Sequence, residues 1–205
     1  MAARPGPRTA SGTRRRILGA TLHLAETTGL RKVSMDEVAR LGGIGRATLY
    51  MHFKGKDSLI QALVSAELQR FFAAISRAVS DVEDPDERLI VGFSAAYRWL
   101  RDHQALQTTL KVNPDALKPY IIAERSVALD RARELIESLV RNETIPVEMQ
   151  APFAEHIARQ IHSLVLIPGG VVDIDGPMGP ENYARRFLVP ALVALRAESY
   201  AAPVG

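Results

Sequence analysis

The chain has 205 residues, 47% of them hydrophobic, with 26 Lys and Arg, 23 Asp and Glu, and no cysteine. That length suits one medium domain or a small head on a larger body, and the lack of cysteine excludes disulfides and thiolate-bound metals. Charge is unevenly spread: residues 1–60 carry 11 Lys/Arg against 4 Asp/Glu, a net +7, and residues 61–205 carry 15 against 19, a net −4. A basic head on an acidic body is expected where the head alone meets a polyanion. No segment reaches the roughly 18 consecutive apolar residues of a membrane-spanning helix. No clean apolar stretch follows the N-terminal arginines, as a secretory signal would require. The expectation is a cytoplasmic chain with no membrane partner.

In chain order, residues 1–12 are rich in Pro, Gly, Ala and Arg and are expected to be a flexible basic arm. From Thr13 the stripe Ile17, Ala20, Leu24 predicts a helix that stops at Gly29. Ser34-Met35-Asp36-Glu37 is a capping box, in which the Ser hydroxyl and the Glu carboxylate each satisfy a backbone N–H. It opens a short helix carrying Val38 and Leu41, which Gly42-Gly43 end; a third helix follows over Arg46–Phe53. Gly55 is the candidate N-cap of a longer helix over residues 56–80. Asp84-Pro85-Asp86-Glu87 then places an N-cap, a Pro at the first position and acidic residues in the first turn of a helix ending near Asp102. Further helices are predicted around Gln104–Lys111, from Tyr120 to Arg141 after Pro119, from about Pro152 to Ile167, and from Pro180-Glu181 to Tyr200, with a kink at Pro190. No strand or repeat is evident. The reading is an all-α chain of about nine helices, divided into the arm 1–12, a head at 13–55 and a body at 56–205.

The short helices at 34–41 and 46–53, joined by a glycine turn, have the helix-turn-helix arrangement. Val38, Ala39, Ile44 and Leu49 have the spacing to pack the pair together and onto the first helix. The outer face of the second helix then carries Arg46, Thr48, Tyr50 and His52, side chains able to meet phosphates or base edges. Lys56 opposes the dipole at its helix start, so a phosphate is its expected partner, and Arg14–Arg16 add positive charge nearby.

The residues from Ile17 through Val38-Ala39, Gly42, Ile44-Gly45-Arg46-Ala47-Thr48-Leu49-Tyr50-Met51-His52-Phe53 and Lys56 to Leu59 resemble the N-terminal domain of the tetracycline-repressor (TetR) family without a gap. The resemblance implies a homodimer closed by the last two helices, a ligand pocket in the C-terminal domain, and release from a palindromic DNA operator when a small molecule binds. It places Thr48, Tyr50 and Lys56 on the DNA backbone and Arg46 where a base-reading side chain is often found, with Gly45 and Ala47 beside it. Ser34 and its neighbouring N–H groups would meet a phosphate, and Arg14 is a further candidate. Gly45 departs from a frequent Ser, and Met51 from a frequent aromatic.

For the body, Trp99, His103, Tyr120, Phe153 and His162, with Tyr97, are the candidates for a mostly apolar pocket. The absence of a carboxylate cluster among them favours an apolar or aromatic effector. The stripes Ile157, Ile161, Leu164 and Phe187, Ala191, Leu195 are candidates for the dimer seam. An enzyme is disfavoured: His156 and His162 are too far apart to chelate from one helix face. Asp173-Ile174-Asp175-Gly176 lacks the later ligands of a calcium loop, and no nucleophile elbow, P-loop or dinucleotide fingerprint is present. No cofactor or metal is expected. Two readings stay open beside a repressor: an activator of the same fold, and a nonspecific architectural DNA binder.

Overall fold

A computed structural model describes residues 7–121, 127–140 and 145–201. In order, the α-helices are α1 (Pro7–Thr28), α2 (Met35–Leu41), α3 (Arg46–His52), α4 (Lys56–Val79), α5 (Pro85–Asp102), α6 (Gln104–Val112), α7 (Lys118–Ile121), α8 (Val127–Val140), α9 (Val147–Leu166), α10 (Gly179–Tyr183) and α11 (Val189–Ala201). Short 3₁₀ turns cover Leu30–Lys32 and Pro114–Leu117, and a π turn over Ala184–Leu188 joins α10 to α11. The fold is all-α, and among the described residues no helix is long and apolar enough to cross a membrane.

The chain forms two compact units: Met1–Leu68 with His103–Lys118, and Gln69–Asp102 with Pro119–Gly205. The first unit therefore extends beyond the 13–55 head read from sequence, taking in the start of α4 and all of α6. Its core is Ile17, Ala25, Val38, Leu49, Phe53, Leu59 and Leu63, with Ala105 from α6. Two hydroxyls make α6 part of this core. Thr109 Oγ1 donates to Ala105 O at 2.7 Å and accepts from Leu30 N at 3.2 Å, while Thr108 Oγ1 donates to Glu26 O at 2.8 Å. Both threonine hydroxyls are satisfied, which offsets the cost of placing threonine there.

The second unit buries Phe71, Ile75, Phe93, Tyr97, Ile157, Ile161, Leu188 and Leu192. Its loop at residues 167–178 is tied to α5. Tyr97 Oη donates to Asp175 Oδ1 at 2.8 Å, Arg101 Nε and Nη2 reach the same carboxylate at 3.0 and 3.1 Å, and Arg98 forks onto Glu181. Gly179 closes the loop, because a Cβ there would lie 2.4 Å from Ile174 O.

Several boundaries differ from the expectation. Helix α1 begins at Pro7, so residues 7–12 are helical rather than an arm; proline suits a first helical position, where no N–H is needed. The rest of the expected arm, residues 1–6, lies outside the described residues. Helix α9 begins at Val147, leaving Pro152 inside it; both Glu148 and Pro152 are exposed, so water can serve the carbonyl that Pro152 leaves without a donor. The helix expected over Tyr120–Arg141 appears as α7 and α8, with 122–126 and Arg141 outside the described residues. Where a kink was expected at Pro190, the backbone makes a π turn just before it, with Val189 N bonded to Ala184 O.

Candidate functional site

The helix-turn-helix is built from α2 and α3. Ser34 caps α2, its Oγ accepting from Glu37 N at 3.3 Å, but Glu37 Oε2 receives the Ser34 hydroxyl at 2.8 Å rather than a backbone N–H. The box expected from sequence is thus half backbone cap and half side-chain pair. Val38 and Ala39 bury the inner face of α2. The turn needs Gly43 at φ 58°, a left-handed conformation that costs glycine nothing. Arg16 Nη2 donates to Gly42 O at 2.7 Å and Gly43 O at 2.8 Å, clasping the turn to α1.

Helix α3 starts from Gly45, whose extended φ −69°, ψ 146° is that of an N-cap without a capping side chain. Leu49 is fully buried and Phe53 nearly so. They anchor one side of the helix and leave the other outside: Arg46 and Ala47 are exposed, Thr48 half-buried, Tyr50 51% exposed and Met51 74% exposed. His52 is half-buried, its ring 6.4 Å from that of Phe53. Arg46 Nη2 lies 2.6 Å from Asp36 Oδ2 on α2. Arg14 lays its guanidinium over the Phe53 ring at 5.6 Å, a cation–π contact that leaves its outer edge to solvent. Lys56 donates its Nζ to Arg31 O at 2.5 Å; the lysine expected to need a phosphate already has a carbonyl partner.

The second unit contains a cavity of about 70 Å³ lined by Phe71, Phe72 and Ile75 of α4, Leu89, Phe93 and Ala96 of α5, Leu135 and Ile136 of α8, Ile157 and Ile161 of α9, and Leu192 of α11. Its one charged lining residue, Arg88, sends its guanidinium to Val82 O (2.9 Å) and Glu83 O (2.7 Å), so its apolar stem faces the cavity edge.

None of the pocket residues expected from sequence is among those lining this cavity. Trp99 packs on Phe71 with ring centres 5.1 Å apart. His103 belongs to the first unit, where Nδ1 accepts from Leu106 N at 3.2 Å to cap α6 and Nε2 meets Glu67 at 3.3 Å. Phe153 is core, Tyr120 is half-buried in α7, and His162 Nδ1 is 2.9 Å from Ala158 O in its own helix. Ile157 and Ile161, expected at a dimer seam, are 2% and 8% exposed and face the cavity. Leu164, Ala191 and Leu195 are half-buried and Phe187 is 48% exposed.

Residues 17–63 match the family model described as bacterial regulatory proteins, tetR family. Residues 17–63 thus carry a tetR-family DNA-binding domain, and the chain is a helix-turn-helix transcriptional regulator. The regulator is 29% identical over 154 residues to an HTH-type transcriptional regulator of Mycobacterium tuberculosis (strain ATCC 25618 / H37Rv), covering 75% of each chain. It is 28% identical over 111 residues to one from Staphylococcus aureus (strain MRSA252), covering 54% of this chain and 60% of that one. Among solved structures, its fold resembles the TetR family repressor AlkX of Dietzia sp. strain DQ12-45-1b, with TM-score 0.64, 22% identity, and 88% and 97% of the two chains covered. It also resembles the fatty acid degradation regulator FadR of Bacillus halodurans, with TM-score 0.56, 18% identity, and 95% and 99% covered. Regulators of this family are not enzymes. Among the described residues no three His, Asp or Glu side chains cluster to hold a metal.

The regulator's cavity residues were visible in sequence only as apolar stripes, Phe71/Ile75 and Leu89/Phe93 four apart, which read equally as core. Arg16 and Asp36 carry no periodic signal at all, since their partners lie outside their own helices.

Proposed function

We propose that this regulator is a cytoplasmic repressor that binds a palindromic operator as a homodimer and leaves it when a small apolar molecule enters the second unit. The observation that carries the DNA half is the exposed polar edge of α3, Arg46 to Tyr50, held outward by the fully buried Leu49. Arg46 reads a base edge; Thr48, Tyr50 and His52 meet backbone or bases; Gly45 and Ala47 allow close approach; Ser34 and Arg14 add phosphate contacts. Lys56 shares itself between the Arg31 carbonyl and a phosphate.

The effector half rests on the cavity's apolar lining. AlkX is described as implicated in biodegradation of n-alkanes and FadR as a fatty acid degradation regulator, and this lining suits the same kind of chemistry. A benzene-sized guest needs roughly 150 Å³, about twice the present cavity, so a longer hydrocarbon has to push its walls apart. Helix α4 is one of those walls and runs unbroken back to Lys56. A shift there changes the spacing of two recognition helices that must stand roughly 34–36 Å apart on a palindrome. The partly exposed stripe of Phe187 in the π turn and Ala191 and Leu195 in α11 supplies the dimer seam together with Leu164.

Selecting bound duplexes from random DNA and then titrating the complex with n-decane and decanoate tests both halves. Decane is expected to raise the melting temperature and to lower operator affinity. Stabilisation by charged hydrophilic compounds alone, or operator affinity unmoved by a stabilising ligand, would sink the effector half.

A further inference from the structure

We infer that Asp36 is a specificity-determining residue: it holds the Arg46 guanidinium in the orientation that reads one base pair. The inference rests on the assignment of Arg46 to base reading and names what positions it. Asp36 stands in the first turn of α2 and Arg46 at the first position of α3, the two helices of the DNA-binding motif. Their side chains are 60% and 70% exposed, yet Nη2 and Oδ2 are 2.6 Å apart.

The dipole of α2 accounts for an acid in its first turn, but an exposed ion pair contributes little to folding, so stability does not account for its contact with Arg46. Orientation does. Arginine has five N–H donors in a rigid fork, and Asp36 takes one of the two Nη2 hydrogens, leaving the other beside a parallel N–H of the same guanidinium to meet two further acceptors. Guanine offers two acceptors, N7 and O6, along its major-groove edge. A guanidinium fixed before binding loses less rotamer freedom when it docks there.

The carboxylate also has a cost that shapes the outcome. It repels phosphates and offsets the charge of Arg46, so the pair adds discrimination without adding general attraction to duplex. Removing the carboxylate should therefore relax sequence preference while affinity for random DNA holds or rises. A residue that only supported the fold would lower both together.

The test is competition binding of the full-length protein against a panel in which each base pair of the selected operator is changed in turn. Arg46→Ala identifies the base pair that Arg46 reads. Asp36→Asn is expected to cut discrimination at that same pair by about threefold to tenfold, a fraction of what one bidentate contact supplies. Other positions and the melting curve should stay unchanged, with random-duplex affinity equal or higher. Asp36→Glu keeps the carboxylate and should restore part of the preference, and Asp36→Asn on the Arg46→Ala background should change nothing at that pair. Full discrimination retained by Asp36→Asn, or a uniform loss across all sequences, overturns the role of Asp36 while leaving Arg46 as the reader. An Arg46→Ala variant with every preference intact overturns the base-reading assignment and this inference with it.

Discussion

Arg16 shows how much of the head depends on single polar side chains. Its two hydrogen bonds to Gly42 O and Gly43 O hold the turn that sets the angle between α2 and α3. Replacing it by alanine should cost about 1–2 kcal/mol in urea unfolding, because hydrogen bonds from a charged donor exceed the usual net value and solvent here replaces part of each. Arg15→Ala, on the exposed surface beside it, should stay within about 0.5 kcal/mol. Equal effects of the two would contradict the clasp. In the second unit, Ile157→Ala should destabilise by about 2–4 kcal/mol and enlarge the cavity it lines, strengthening decane binding as it weakens the fold. At this scale the sequence is only half legible. Leu49 and Phe53 announce themselves by apolar spacing, whereas Arg16, Asp36 and His103 act on partners far along the chain. The charge of Arg16 is visible, but nothing marks Gly42 and Gly43 as its acceptors.

Helix starts are legible because they follow local chemistry. Asp84 caps α5 as read, with Glu87 N donating to Asp84 Oδ1 at 2.8 Å. Pro152 misleads by the same rule: a proline suits a first turn but is also tolerated deeper in a helix when its surroundings are wet. Gly45 leaves α3 without a side-chain cap, although its φ of −69° suits any residue and a Cβ would meet only Thr48 Oγ1, at 3.8 Å. Gly45→Ser should therefore stabilise the head by a few tenths of a kcal/mol, seen as a small rise in the urea midpoint; a loss would mean that the α3 start is strained. The apolar stripe of α9 was legible as a stripe, but its destination was not. Periodicity says that Ile157 and Ile161 are covered, and only packing decides whether by the same chain or by another.

For the whole molecule, two ties on α5 contribute to the pH dependence of stability. Burial, then the hydrogen bond to Asp175, pushes the Tyr97 phenol up to about 12. Folding therefore favours neutral Tyr97; that stability is complete below pH 10 and is lost as pH rises from 10 through about 12. The hydrogen bonds from Arg98 hold Glu181 below the ordinary carboxylate range, so that tie is complete above the unfolded carboxylate value and fades as pH falls through the folded one. Tyr97→Phe should flatten the alkaline limb of a urea-midpoint profile and leave the acid limb in place. Assembly belongs to the same scale. Phe187→Asp should convert a dimer to a monomer in light scattering at micromolar concentration with helicity unchanged, and weaken operator binding; a wild-type monomer would contradict the proposed seam.

Sequence-specific reading by the α3 edge underlies the proposed function. Competition of the selected operator against random duplex, at one fixed salt concentration, tests it most directly. The operator should be preferred by roughly 10³-fold or more. Equal affinity for both would contradict it and leave a nonspecific DNA-binding head.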